Sequence, residues 1–310
     1  MSSSIHLNAL INQFRSQRPI RAGSLIISVF GDAIVPRGGK VWLGSLINVL
    51  EPLGLNQRLV RTSVFRLSKE ENWLAAEQLG RRAYYSLTNQ GRRRFDQAFK
   101  RIYVPAVQEW DGSWSLAVLS QVPAEIRQQV RDELQWMGFG AFGPTLMAAP
   151  HCDMLEVRNT LQELDALDST ILFETREGTQ YSSKALRAQS RECWNLDQIN
   201  DSYRSFLDRF RPVWQEMSNQ KQLDPQECFI ARTLLIHEYR KVLLRDPQLP
   251  AELLPSDWGG TAARQLCHNL YNLVCKASEQ YISRSMETAD GPLPPPSPSF
   301  YKRFGGLSDQ

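Results

Sequence analysis

Long apolar runs and paired cysteines are both missing from this chain of 310 residues. No stretch approaches the roughly 18 consecutive apolar residues that a membrane span requires, and the opening MSSSIHLNAL has no basic segment leading into an apolar one. A soluble, unexported chain is expected. The five cysteines, Cys152, Cys193, Cys228, Cys267 and Cys275, are odd in number and widely spaced, with no CxxC and no Cys/His ligand cluster. That argues against a disulfide framework and a zinc site, and fits a reducing cytoplasm. Only four histidines occur, His6, His151, His237 and His268, none at metal-ligand spacing, so core or surface roles are expected of them. No GxSxG, Walker A or locally supported Cys/His pair is present, and neither an enzyme, a cofactor nor a metal is expected.

What is present is an ordinary globular composition, 42% hydrophobic and 22% charged, over a length that suits two or three domains. Three are expected. The net charge of +3 conceals an asymmetry: residues 1–103 carry 16 Lys and Arg against 6 Asp and Glu, while the remainder carries 20 against 27. The amino-terminal third is built to meet a polyanion.

Residues 22–100 follow a helix, helix, helix, hairpin, helix order. Ser24–Phe30 is apolar on most sides, as a buried first helix should be, and Pro36-Arg-Gly-Gly39 breaks it. A second helix is expected from Val41 to Leu50, then a turn at Pro52 and Gly54, then a third helix capped by Asn56 and running to about Glu71. At 100° per residue, Val60, Val64 and Leu67 fall on one side of that third helix. Arg58, Arg61, Thr62, Phe65, Arg66 and Lys69 fall on the other. Strands at Trp73–Leu79 and Ala83–Leu87 meet at Gly80-Arg81-Arg82, a hairpin with two cations at its tip, and Thr88 caps a basic helix with Arg92, Arg93, Arg94, Lys100 and Arg101. The expected architecture is a winged helix-turn-helix at 1–103.

Residues 104–189 read as a ferredoxin-like βαββαβ unit with its linker: a strand at Trp114–Leu119, a helix from Pro123, short strands near Gly140 and Thr145–Ala148, a helix at Met154–Leu164 and a strand at Ile171–Glu174. Residues 190–288 show no convincing strand and read as an all-α domain, with helices near Asp197–Met217, Pro225–Leu244 and Ala262–Ser285. The proline-rich 289–310 is expected to be a solvated or disordered tail. The overall class is α+β and multidomain.

An α-helix fits the major groove of B-DNA, where arginines pair bidentately with guanine and clamp phosphates. Arg58, Arg61, Arg66 and Lys69 suit both tasks, Thr62 could donate to a base or phosphate, and Phe65 could touch a thymine methyl. A cationic helix face on its own is more often mere solvated surface. Here one domain adds a hairpin tip with Arg81 and Arg82 and an arginine triplet, and double-stranded DNA becomes the expected partner. Gly138-Phe-Gly-Ala-Phe-Gly143 matches G-x-G-x-x-G literally, but it follows a helix and runs into Pro144, which suits a tight turn better than a nucleotide loop.

Leu59-Val-Arg-Thr-Ser-Val-Phe-Arg-Leu67, Trp73-Leu74 and Gly80-Arg-Arg-Ala-Tyr-Tyr-Ser-Leu-Thr88 resemble the winged-helix domain of the PaaX family of phenylacetate-catabolism repressors, and His237–Pro250 with Leu253-Leu-Pro-Ser-Asp-Trp258 resemble that family's C-terminal block. The resemblance implies a homodimeric repressor of aromatic-acid degradation genes, released from operator DNA by phenylacetyl-coenzyme A, with a Cas2-like middle domain serving dimerisation. Two other functions stay open. Cas2-like proteins include metal-dependent nucleases with an aspartate ending the first strand, but that strand ends here at Ser120 and Asp111 precedes it. A protein adaptor docking its basic domain on an acidic partner is the other. A coenzyme A thioester needs cations for its phosphates and an aromatic surface. Arg176, Lys184, Arg187, Arg191, Arg240, Lys241, Arg245, Arg264 and Trp258 are its candidate contacts, with ion pairing between domains and plain packing as the alternative roles.

Overall fold

The computed structural model describes residues 4–104, 110–150, 152–176 and 184–307, so His151 lies outside the described residues. The chain forms two compact units rather than three. One comprises Met1–Ala106, Arg204–Leu243 and Gly260–Gln310, the other Val107–Tyr203 and Leu244–Gly259. Helices of the third expected domain pack on one another and also on the amino-terminal ones, and so join the first unit.

In the first unit, α1 (Ile5–Ser16) was not foreseen. Its Leu7, Leu10, Ile11 and Phe14 recur at helical spacing and are buried, and Ser4 caps it by accepting from the Leu7 amide at 3.2 Å. The Glu216 carboxylate also accepts the free Ile5 and His6 amides at 2.7 and 2.9 Å, as suits an acid at a helix start. Helix α2 (Ala22–Val29) is buried almost all round and continues as a π turn over Phe30–Ile34, which places Asp32 in the core.

The second expected helix begins later than its apolar pattern indicated. Lys40–Trp42 is strand β1, with Val41 opposite Tyr85, and α3 spans Leu43–Leu50. A short run of branched and aromatic residues beside an available strand edge pairs with that edge instead of coiling. Helix α4 (Gln57–Lys69) is capped by Asn56 Oδ1, which accepts from the Leu59 amide at 2.9 Å. Strands β2 (Leu74–Leu79) and β3 (Arg82–Leu87) join through Gly80, whose φ of +59° favours glycine, and the sheet order is β1-β3-β2. Thr88 caps α5 (Asn89–Tyr103).

The second unit has β4 (Ser113–Val118), α6 (Ala124–Trp136), β5 (Gly140–Ala141), β6 (Leu146–Pro150), α7 (Met154–Glu163) and β7 (Ile171–Arg176) in the expected βαββαβ order. The sheet is antiparallel, ordered β5-β6-β4-β7, with Ala117, Met147, Val130, Leu134, Val157 and Leu161 in its core. An unforeseen α8 (Lys184–Cys193) follows, and the division between units falls within α9 (Leu196–Ser218). The glycines of 138–143 serve packing. Gly138 adopts φ +100° and accepts from Trp194 Nε1 at 3.1 Å, while a Cβ on Gly140 would collide with that indole ring.

Back in the first unit, α10 (Pro225–Leu243) is buried along most of its length and packs on α11 (Gly260–Ser285). The proline-rich end corrects the expectation of a loose tail. Strands β8 (Glu287–Thr288) and β9 (Gly291–Pro292) pair, and Phe300, Arg303 and Phe304 are buried. Proline density forbids helix but does not prevent an anchored extended segment. The anchor is ionic.

Candidate nucleic-acid interface

The amphipathic split of α4 is complete. Val60, Ser63, Val64 and Leu67 are buried, while Arg58, Arg61, Thr62, Phe65, Arg66 and Lys69 are all exposed, Phe65 to 58%. Two of these residues are not free-standing. Arg66 Nε donates to Glu71 Oε1 at 2.9 Å, and Thr62 Oγ1 donates to the Arg58 carbonyl at 3.0 Å, so the expected donation by Thr62 to DNA would require its hydroxyl to turn.

The hairpin cations also differ from each other. Both are exposed, but Arg82 stacks over Trp42 at 4.4 Å from the ring centroid and pairs with Glu287 at 3.2 Å. Arg81 sits at the turn. The arginine triplet at the start of α5 is exposed too, with Arg94 over Trp73 at 5.5 Å.

The effector candidates are divided between the two units. Arg176, Lys184, Arg187, Arg191, Arg245 and Trp258 belong to the second unit, and Arg240, Lys241 and Arg264 to the first. Several are engaged: Arg176 with Asp111 at 2.6 Å, Arg191 with Asp197 at 2.8 Å, Lys241 with Glu238 at 2.6 Å, and Arg264 with the Val104 carbonyl at 2.5 Å. Trp258 packs edge-on against Tyr203. Asp111, the carboxylate weighed for a nuclease, accepts from the Ser113 amide and hydroxyl and from Arg176; these bonds, the Ser113 ones foremost, hold its pKa below the usual carboxylate range.

The core of the first unit holds a buried ionic cluster that local sequence patterns did not show. Asp32 accepts from Arg232 Nε at 2.6 Å, Arg303 Nη1 at 2.8 Å, Tyr103 at 2.7 Å and Tyr271 at 2.9 Å; Arg232 also reaches Glu279, which binds Arg37 as well. Burial pushes the Asp32 pKa up, but Arg232 and Arg303 outweigh it and hold the carboxylate low. A lone acid within the apolar run 22–34 was the available signal. Tyr103 lies 71 residues away and Arg232, Tyr271 and Arg303 lie 200 or more, beyond any local pattern.

The fold is of mixed α/β architecture, with exposed cations on the outer face of α4, on the β2–β3 hairpin and at the start of α5. Three family models match in series: PaaX-like protein over residues 21–91, the PaaX protein central Cas2-like domain over 107–187, and the PaaX-like protein C-terminal domain over 194–284. The chain is also 41% identical over 303 residues to the transcriptional repressor PaaX of Escherichia coli (strain K12), covering 97% of this chain and 96% of that protein. It belongs to the PaaX family, and so with regulators rather than enzymes. Among solved structures, uncharacterized protein Rv0674 from Mycobacterium tuberculosis aligns with a TM-score of 0.48 and 19% identity, covering 76% of this chain and 88% of that one, a likeness too remote to bear on function. Among the described residues no helix is long and apolar enough to cross a membrane.

Proposed function

We propose that this chain is a DNA-binding transcriptional repressor whose amino-terminal part is a winged helix-turn-helix, with α4 as the recognition helix and β2–β3 as the wing. The observation that carries this reading is the outer face of α4, where Arg58, Arg61, Phe65 and Lys69 stand exposed while the opposite face fills the core. A helix of this kind enters the major groove, and flanking cations on the wing and on α5 meet phosphates. The Escherichia coli relative is a transcriptional repressor, which supports the same reading.

The repressor acts as a homodimer through the Cas2-like unit. Ile171 and Phe173 on edge strand β7 are 49% and 52% exposed and face the same side of the sheet as their cross-strand neighbours Val118 and Leu116. The genes repressed are those of aromatic-acid (phenylacetate) degradation, and the releasing effector is an aryl-coenzyme A, phenylacetyl-coenzyme A. Gel-shift titration on the promoters of the protein's own gene cluster, with and without phenylacetyl-coenzyme A, tests the whole. Salt-sensitive, sequence-preferring binding that the thioester relieves is the expected result; binding indifferent to sequence would reject the repressor, and binding indifferent to the thioester would reject the effector.

A further inference from the structure

Arg240 differs in one respect from the other cations withdrawn into the first unit. Arg37, Arg232 and Arg303 each meet a carboxylate. Arg240 meets none among the described residues: its Nη2 donates to the Ser24 carbonyl at 3.1 Å and hydroxyl at 2.8 Å, and its Nε, closed to solvent, has no partner. Burial pulls its pKa down, the signature of a cation short of a counter-charge. A guanidinium carries five donors and cannot shed its proton to escape the cost.

This side chain lines a half-open cavity of about 540 Å³ between α2, α4 and α10. Arg21 and Arg66 line it too, against a single carboxylate, Glu71, which Arg66 already holds. Ile27, Leu59 and Trp73 give the remaining wall an apolar and aromatic character. Two uncompensated cations opposite an apolar wall match a ligand that is anionic at one end and apolar at the other.

We propose that this cavity binds an organic anion, whose carboxylate or phosphate group bridges Arg240 and Arg21 and whose apolar group lies on Ile27 and Trp73. Leu59, Thr62 and Arg66 of α4 form one of its sides, so a ligand here touches Thr62 and Arg66 at the border of the exposed face that the repressor reading turns to DNA. The anion competes with DNA for Arg66. That consequence rests on the repressor reading, whereas binding itself does not.

Calorimetric titration of the full chain with phenylacetate, phenylacetyl-coenzyme A and inorganic pyrophosphate, for wild type and for Arg240→Met, tests the site. At least one organic anion should bind wild type and raise its melting temperature, and Arg240→Met should weaken that binding by about tenfold or more. Pyrophosphate binding as tightly as the organic anions would overturn the apolar part of the assignment, and equal binding by both proteins, or none by wild type, overturns the site. Should Arg240→Met fail to fold, the exposed Arg21→Ala takes its place, and unchanged binding there is equally fatal. In gel shifts, operator release by ligand to the same extent in Arg240→Met as in wild type sinks the site and leaves the repressor; Arg240-dependent anion binding by a chain without sequence-preferring DNA affinity sinks the repressor and leaves the site.

Discussion

Arg303 donates through Nη1 to Oδ1 of Asp32 at 2.8 Å, joining positions 271 residues apart in the chain with both side chains buried. The guanidinium also lies over the Tyr103 ring at 4.1 Å and the Phe300 ring at 4.6 Å, so the tail is held by charge and stacking together. Removing one member leaves the rest of the cluster uncompensated. Asp32→Ala should cost about 3–5 kcal/mol in urea denaturation, because it leaves the buried Arg303 without a carboxylate and Arg232 with Glu279 alone. A chain ended at Ser299 should lose stability of the same order, and a truncated protein as stable as the whole would show the tail to be dispensable.

His237 sits wholly within the core, with Nδ1 3.0 Å from Ser28 Oγ, and burial, reinforced by Lys241 and Arg240, holds its pKa well below the usual value. Its neutral form is the folded form. Stability from this residue is therefore complete above the unfolded histidine pKa of about 6.5 and is lost as pH falls below it, since only the unfolded chain takes the proton there. The denaturation midpoint of wild type should drop between about pH 6.5 and 5. In His237→Gln that drop should be smaller; an identical slope would place the titration elsewhere.

On the DNA side, the exposed arginines of α4 should behave unlike those of the hairpin. Arg61→Ala is expected to cost about 1–3 kcal/mol of specific operator binding and little of non-specific binding, the loss of one bidentate base contact. Arg81→Ala should weaken all sequences alike and lower the salt dependence by about one charge. Arg82→Ala should change that slope less, because Trp42 and Glu287 already hold its guanidinium. Equal specific and non-specific losses for Arg61→Ala in gel shifts across a salt series would mean that α4 does not read bases.

Placing a charge on the open side of β7 tests the proposed dimer. Phe173→Glu would set a carboxylate against the apolar partner surface while leaving the packed face of the sheet, carried by Ala117 and Leu172, untouched. Sedimentation should show a monomer at concentrations where wild type is a dimer, with unchanged circular dichroism. A variant that stays dimeric would locate the interface on another surface.

Local patterns alone determined much of this protein. Asn56 and Thr88 announced two helix starts, the period of Val60, Val64 and Leu67 set which side of α4 faces the core, and the alternation of strands and helices from Ser113 to Arg176 announced the βαββαβ order. These features depend on neighbours within a few residues, so the chain itself carries them. Tertiary structure decided the rest. Val41 became a strand because the β3 edge was there to pair with it, the proline-rich end became ordered because Asp32 needed a second cation, and Arg240 stands without a carboxylate because α2, α4 and α10 converge around it. Each outcome turns on the burial or pairing of a charge or backbone edge against a segment remote in sequence, and the free energy of that encounter is written in no local run of residues.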